Sequence, residues 1–247
     1  RKLAESVSDT RARLHAAKRP VLIGGIELYR AGAERDFLRL AERLGVPVVT
    51  TPGAKGCFPM DHPLHMGIHM GPFSAPAIEK RVRDADLVLA LGTVLTDMNL
   101  GAAKPQVRRE RAVWAVGGRV NVSFHTYTEV ALRDFVGALG RGELPRFRET
   151  VVYCDNLKRP KIERSDAPLR VNDLLLEMNH FLDLHPGYDV VAESGDSLFG
   201  GLELRLRAGG LYFSQGYYAS MGFAVPAAIG AQIGTRRRTL VLSGDGA

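Results

Sequence analysis

The polar residues best suited to chemistry lie in two short, glycine-containing turns in the last quarter of the chain. One turn is Ser194-Gly195-Asp196-Ser197 and the other is Gly244-Asp245-Gly246. Glycine lets a backbone approach an anion closely, and the amides that open a following helix bind phosphate oxygens. An aspartate between glycines offers the hard oxygen ligand that Mg²⁺ takes together with phosphate oxygens. These turns therefore predict a magnesium–phosphate site, although an ordinary strand ending in a tight turn has the same residues.

Each of these turns follows a β-rich run that is predicted to position it. Residues 188–193 are predicted as a strand leading into the first turn, and residues 239–243 as a strand leading into the second. Helices are predicted over residues 171–182 and over the small residues 222–234. Leu174, Leu175, Met178 and Leu182 mark one side of the former. Ligands of a parallel α/β sheet bind outside the carboxyl ends of its strands, so both turns are expected there.

The first 140 residues show a similar α/β rhythm without such polar turns. Phe37, Leu40, Ala41 and Leu44 recur with helical spacing, and Gly45 follows as a stop signal. Strands are predicted over 21–25, 46–50, 86–92 and 112–116, and further helices over 77–83 and 129–139. Alternation of strands and helices predicts a parallel sheet with crossover helices.

Residues 141–168 differ in character, because they are charged and interrupted by prolines. They are predicted to link two domains, although residues 151–153 are apolar enough to pack locally. The expected division is residues 1–140, a linker over 141–168, and residues 169–247. The fold class expected from both halves is α/β, with two doubly wound parallel-sheet units.

Composition limits the classes of function. The 247 residues are 45% hydrophobic and 24% charged, as in a globular protein with a substantial core. A net charge of +6 arises from scattered Lys and Arg, so nucleic-acid binding is not expected. No apolar run is long enough to span a membrane. Cys57 and Cys154 lack Cys-x-x-Cys spacing, which predicts free thiols and a cytoplasmic protein. The start at Arg1 and abrupt end at Ala247 are typical of a fragment.

Residues 192–197, 218–230 and 243–246 resemble, in order and spacing, the diphosphate-binding domain of thiamine-diphosphate-dependent 2-keto-acid decarboxylases. Residues 19–24, 31–34, 55–59 and 85–97 are similar to that family's middle domain. The resemblance implies a Rossmann-like middle domain followed by a partial diphosphate-binding domain, with thiamine diphosphate and Mg²⁺ as cofactors. It also implies conversion of pyruvate, phenylpyruvate or indolepyruvate to an aldehyde and CO₂.

The resemblance further implies roles for single residues. Asp245 corresponds to the Mg²⁺ ligand, and the carbonyl of Ala219 to the acceptor of a hydrogen bond from the cofactor's aminopyrimidine. Met221 corresponds to the apolar residue that holds the two cofactor rings in a bent shape. The other cofactor-binding positions implied are Asp196, Ser197, Ser220, Gly244, Gly246 and Ala247. Taken alone, Met221 would be an ordinary core residue and Asp196 a helix cap.

Two parts of the family's site have no counterpart in the sequence. They are an activating glutamate, which a separate N-terminal domain of a neighbouring subunit supplies, and an asparagine that completes the Mg²⁺ site. We therefore expect no catalytic residue within this chain, and we expect the chain alone to be inactive. A site shared between subunits implies a homo-oligomer, either a dimer or a tetramer.

Other interpretations stay open at this point. A thiamine-dependent carboligase of the acetolactate-synthase type shares both domains, and a non-catalytic nucleotide-binding or assembly module is a further alternative. Residues 24–28 lack the Gly-x-Gly-x-x-Gly of dinucleotide sites, so NAD or FAD is not expected. Zinc is not expected at Cys57, His62, His65 and His69, because prolines make that segment a loop. His125 and Tyr127 resemble a segment of phenylpyruvate-type decarboxylases and are expected to be structural.

Overall fold

The computed structural model describes residues 1–101, 107–154, 168–207 and 209–246. The chain divides into two compact units, of which the first groups Arg1–Phe58 with His62–Cys154. The second groups Asp155–Ala247 with Pro59–Asp61. None of the helices among the described residues is both long and apolar enough to cross a membrane.

The described part of the first unit contains a seven-stranded sheet. Its strands are β1 (Pro20–Gly24), β2 (Val48–Thr50), β3 (His65–Ile68), β4 (Leu87–Leu91), β5 (Ala112–Val116), β6 (Arg119–Val122) and β7 (His125–Thr128). They lie in the order β3-β2-β1-β4-β5-β6-β7, with β1 to β5 parallel and the last two pairings antiparallel. The helices are α1 (Lys2–Ala16), α2 (Glu27–Ala31), α3 (Glu34–Leu44), α4 (Pro76–Asp84), α5 (Asp97–Leu100) and α6 (Leu132–Leu139).

Both faces of the central strands β1 and β4 are buried, which explains why these two strands are apolar throughout. Along β4, Leu87, Leu89 and Leu91 belong to one hydrophobic cluster and Val88 to another. Successive residues of a strand point to opposite faces, so a strand covered on both faces has no polar positions to alternate with. The larger cluster includes side chains of α1, α2, α3 and α6, and the smaller one includes Ile78 and Val82 of α4.

The structure departs from the predicted elements between β5 and α6. Residues 119–128 form the antiparallel hairpin of β6 and β7, which was not among the predicted elements. The helix predicted from Glu129 begins instead at Leu132. Glu129 has a positive φ of 62°, and the amide of Val130 donates to the carbonyl of Gly118 at 3.0 Å. These backbone constraints exclude residues 129–131 from the helix.

The predicted linker contains a described part, residues 141–154, that lies against the first unit. The amide of Phe147 donates to the carbonyl of Leu44 at 2.7 Å, and the amide of Cys154 to that of Met66 at 2.7 Å. Val151 and Cys154 pack against the smaller hydrophobic cluster. Residues 155–167 lie outside the described residues, and the domain boundaries stay a prediction.

The described part of the second unit contains a three-stranded parallel sheet in the order β10-β8-β9. Its elements are α7 (Val171–Leu184), β8 (Asp189–Ala192), α8 (Asp196–Leu202), β9 (Tyr212–Ser214), α9 (Ala224–Thr235) and β10 (Thr239–Leu242). Ala224, Ala228 and Ala231 of α9 cluster with Val191 of β8, and such small side chains allow close packing. Leu174, predicted on the buried side of α7, is 47% exposed; the buried residues there are Leu175, Asn179 and Leu182.

Candidate functional site

The two polar turns of the second unit emerge side by side at one edge of its sheet. Strands β8 and β10 are neighbours and run parallel, with Ala192 in register with Leu242. The amide of Glu193 donates to the carbonyl of Leu242 at 2.8 Å, which extends this pairing beyond β8. Residues 194–197 and 243–246 therefore both follow the carboxyl ends of adjacent strands, where ligands of parallel sheets bind.

The turn after β8 is polar and open to solvent. Gly195 has φ 77° and ψ −141°, a backbone conformation that residues with a Cβ rarely adopt. A Cβ built at Gly195 would meet no atom within 4 Å, so space lies beside the backbone. Asp196 is exposed and opens α8, while Ser197 is half-buried.

The turn after β10 offers an oxygen ligand with room around it. Asp245 is exposed, and Cβ atoms built at Gly244 and Gly246 would meet nothing within 4 Å. Among the described residues, no group of three or more His, Cys, Asp or Glu side chains could hold a metal. Mg²⁺ commonly uses one or two carboxylates and completes its shell with phosphate oxygens and water, so this oxygen-only turn fits a magnesium diphosphate. Ala247 lies outside the described residues.

The third predicted segment, residues 219–221, lies between β9 and α9. Ala219 has a positive φ of 50°, which costs an alanine on the order of 1 kcal/mol. Such conformations persist where surrounding structure imposes them, and they are frequent at functional sites. Ser220 is exposed, and Met221 is 76% exposed, so neither is a core residue of the described chain.

A buried carboxylate joins the start of α9, which closely follows this segment, to the turn after β8. Glu193 is only 2% exposed. Its Oε2 accepts from the amide of Ala224 at 2.9 Å, and its Oε1 accepts from the amide of Ser194 at 3.0 Å. The hydrogen bond from Ala224 holds the pKa of Glu193 below its usual range, with further help from the amides of Ser194, Phe223 and Gly222, while burial opposes the shift. No role of Glu193 was predicted from the sequence, where its only signal is a carboxylate directly after a buried strand.

Two family models match the chain. The central domain of thiamine pyrophosphate enzymes matches residues 7–128, and the C-terminal TPP binding domain matches residues 199–247. The chain belongs to the thiamine pyrophosphate enzymes. The family resemblance and the α/β fold with two parallel-sheet units are thereby confirmed. The second match contains residues 219–221 and 243–246, whereas residues 194–197 lie just before it.

Curated relatives of this thiamine pyrophosphate enzyme include decarboxylases. Indole-3-pyruvate decarboxylase of Azospirillum brasilense is 31% identical over 99% of the chain and 45% of the relative. Pyruvate decarboxylase 1 of Pisum sativum is 29% identical over 99% of the chain and 42% of the relative. Pyruvate decarboxylase 1 of Oryza sativa subsp. indica is 32% identical over 94% of the chain and 39% of the relative. The chain thus spans less than half the length of these relatives.

In the first unit of this thiamine pyrophosphate enzyme, the Gly24-Gly25 pair serves packing. The amide of Gly25 donates to the carbonyl of Leu91 at 2.9 Å. A Cβ built at Gly25 would lie closer than 3.0 Å to the backbone of Gly92 and Thr93. The two chain segments that leave β1 and β4 therefore touch here, and the glycine leaves no gap beside Gly92 for a phosphate.

The Cys57-to-His69 segment departs in part from the loop that was predicted. Residues 65–68 form β3, which pairs with β2. His65 is 2% exposed and lies beside the rings of Phe58 and Tyr153. Burial raises the pKa of Cys57, which disfavours the thiolate that metals bind. Packing thus accounts for the burial of these two side chains.

His125 and Tyr127 lie on the edge strand β7. Their rings stack with centroids 5.7 Å apart, and the Tyr127 hydroxyl donates to the carboxylate of Asp9 on α1. This hydrogen bond, more than the partial burial, raises the pKa of Tyr127 to about 12. The contacts tie the hairpin to α1, a structural role.

His69 lines a cavity of about 400 Å³ in the first unit, beside Thr51 and Trp114. It is 8% exposed, and burial lowers its pKa from 6.5 to about 4 despite the opposing charge of Glu79. The unfolded chain therefore binds a proton below pH 6.5, where the native state stays neutral. The contribution of neutral, buried His69 to stability is complete above pH 6.5 and is lost as the pH falls towards 4.

Because of His69, we expect the free energy of unfolding to fall by about 3 kcal/mol as the pH is lowered from 6.5 to about 4. His69→Gln should flatten that part of the pH profile, measured by urea unfolding with the fluorescence of Trp114, the only tryptophan. The exposed His125, replaced by glutamine, is the control and should leave the profile unchanged. An equally steep profile in His69→Gln would contradict the assignment.

Proposed function

We propose that the full-length protein is a thiamine-diphosphate- and Mg²⁺-dependent lyase that converts a 2-keto acid to an aldehyde and CO₂. The observation that carries this proposal is the convergence of residues 194–197 and 243–246 at one sheet edge, where Glu193 also holds Ala224, three residues after the 219–221 segment. The decarboxylase names of the relatives support the reaction class. In this proposal residues 1–140 are the middle domain, 141–168 the linker, and 169–247 the first part of the cofactor domain.

The diphosphate end of the cofactor is assigned to the two turns. Asp245 is the Mg²⁺ ligand, since it is an exposed carboxylate with open space on both sides. Gly244, Gly246 and Ala247 form the backbone turn around the diphosphate. Asp196 and Ser197 contact the cofactor from the end of β8. Open space at Gly195 and Gly244 supports close approach of phosphate oxygens to both backbones.

The ring end of the cofactor is assigned to residues 219–221. The positive φ of Ala219 is a backbone conformation that the surrounding structure imposes, and it fixes the direction of the Ala219 carbonyl. A carbonyl of fixed direction is suited to accepting a hydrogen bond from the aminopyrimidine. Met221 is proposed to pack against the cofactor and hold its two rings in the bent arrangement. The side chain of Met221 is exposed and therefore accessible to a ligand. Ser220 lies between them as a backbone and hydroxyl contact.

Thiamine diphosphate supplies a carbon nucleophile for the keto carbon and an acceptor for the electron pair released as CO₂ leaves. In the net reaction the bond between keto carbon and carboxylate breaks, and the keto carbon gains a proton to become an aldehyde. The residues of this chain bind and orient. The activating glutamate is assigned to a neighbouring subunit, so the enzyme is a homo-oligomer, dimer or tetramer, which sedimentation of the full-length protein would test.

The proposed reaction is tested with the full-length protein, thiamine diphosphate and Mg²⁺. Pyruvate, phenylpyruvate and indolepyruvate are supplied separately, and aldehyde and CO₂ are measured. We expect stoichiometric aldehyde and CO₂ from at least one of them, dependent on both cofactors. A hydroxyketone without aldehyde would replace the decarboxylase proposal with a carboligase.

We also propose a cellular compartment and a class of binding partner for the enzyme. Cys57 and Cys154 are both free, which supports a reducing compartment such as the cytoplasm. The substrate is a small 2-keto acid, and neither nucleic acid nor membrane is proposed as a partner. Electrophoretic retardation of a DNA fragment by the protein at physiological salt would contradict the absence of nucleic-acid binding.

Met221→Ala is expected to slow deuterium exchange at the cofactor's reactive carbon about 10- to 100-fold while leaving diphosphate affinity nearly intact. The reason is that a small displacement of reacting groups costs up to about 100-fold in rate. Nuclear magnetic resonance of the bound cofactor measures the exchange. Val225→Ala, an exposed apolar residue at the second position of α9, is the control. Wild-type exchange in Met221→Ala would refute this role.

A further inference from the structure

Glu193 uses both carboxylate oxygens to hold two separate chain segments. Oε1 accepts from Ser194, the first residue of the turn after β8, and Oε2 accepts from Ala224, the first residue of α9. Residue 224 follows Met221 by only three positions. One buried side chain therefore spans the bases of two segments that are proposed to bind opposite ends of the cofactor.

The surroundings of Glu193 fit a fixed, charged anchor. It is 2% exposed, and its own amide is bonded to Leu242 of β10. The side chain thus extends from the centre of the sheet, and it is held where β8 and β10 meet. Hydrogen bonds from backbone amides to an ionised acceptor are roughly twice as strong as neutral ones.

We infer that Glu193 is a positioning residue that fixes residues 194–197 and residues 219–221 relative to each other for cofactor binding. This inference rests on the proposed function. The first amide of α9 already donates to the Glu193 carboxylate and is not available to a phosphate. The diphosphate therefore accepts hydrogen bonds from backbone amides of the turns after β8 and β10.

Two substitutions separate the charge of Glu193 from its length. Glu193→Gln keeps the length of the side chain but replaces one carboxylate oxygen with an NH₂ group. That NH₂ group is a donor and faces a backbone N–H donor, so one of the two hydrogen bonds is lost. Glu193→Asp keeps the charge but is one methylene shorter, so it does not reach both amides in their present positions. Both variants should loosen the connection, and each retains part of it.

Asp189 provides a matched control at the opposite end of the same strand. It is fully buried, and it accepts from the amide of Leu211 at 2.8 Å and from the hydroxyl of Thr235 at 2.7 Å. Its Oδ1 also lies 3.1 Å from Nε of Arg237. Asp189→Asn should therefore lower the melting temperature as much as Glu193→Gln without altering the turns.

The experiment compares full-length wild type, Glu193→Gln, Glu193→Asp and Asp189→Asn. Calorimetry with Mg²⁺ measures thiamine diphosphate affinity, and amide hydrogen exchange without cofactor follows residues 194–197 and 219–224. We expect both Glu193 variants to lose about 10- to 100-fold in affinity, the usual effect of an outer-shell partner. Exchange should accelerate in the segment whose amide loses its hydrogen bond to residue 193. Asp189→Asn should bind the cofactor as tightly as wild type.

Equal affinity losses in the Asp189 and Glu193 variants, or undiminished affinity in the latter, would overturn the inference. Exchange that accelerates in neither segment would also do so. Failure of wild type to bind thiamine diphosphate would overturn the proposed function instead. In that case the exchange data, taken without cofactor, still decide whether Glu193 joins the two segments.

Discussion

Asp245→Ala is expected to abolish Mg²⁺-dependent retention of thiamine diphosphate in the full-length protein, with an affinity loss of about 100-fold or more. The proposed site has few protein ligands, since Mg²⁺ typically takes one or two carboxylates and completes its shell with phosphate and water. Loss of one carboxylate therefore removes a large share of what the protein supplies. Calorimetric titration with and without Mg²⁺ measures the effect.

Two further variants sharpen this test. Asp245→Asn keeps one oxygen ligand but removes the charge, so its affinity should lie between those of wild type and Asp245→Ala. Glu177→Ala removes another exposed carboxylate, on α7, and should bind the cofactor as wild type does. Unchanged cofactor binding in Asp245→Ala would count decisively against the metal-ligand assignment.

Gly25→Ala is expected to destabilise the first unit by about 3 kcal/mol, at the upper end of overpacking effects. The added methyl group would meet the backbone of Gly92 and Thr93, which cannot turn aside as a flexible side chain would. Relief requires the segments after β1 and β4 to separate, and that weakens the hydrogen bond from Gly25 to Leu91. Urea unfolding followed by the fluorescence of Trp114 measures the loss.

Gly53→Ala is the matched control for this prediction. A Cβ at Gly53 has only the Cβ of Ile26 within 4 Å, at 3.9 Å, an ordinary van der Waals contact. Its unfolding midpoint should stay close to that of wild type. If Gly25→Ala is equally well tolerated, the close approach of the two backbones does not constrain this position.

The sequence alone was sufficient to predict the central elements of both sheets. Residues 112–116 form a strand as predicted, and the helix marked by Phe37 to Leu44 extends over Glu34–Leu44. These elements are determined locally, because burial of one helix face leaves apolar residues at helical spacing, and burial of both strand faces leaves a short continuous apolar run. The edge strand β7 carries no such pattern, since every residue of β7 is at least partly exposed. Strand β6 does alternate, with Val120 and Val122 buried, but it is only four residues long.

The residue types of the candidate site could also be read from the sequence, since Gly, Asp and Ser in short turns indicate anion and metal chemistry wherever they occur. Which turns become neighbours depends on strand order, and only the tertiary structure decided that β8 lies between β9 and β10. It also decided the partners of Glu193, because its hydrogen bond to Ala224 spans 31 positions of sequence. Contacts between such distant residues follow from the packing of the whole unit, and local sequence patterns do not encode them.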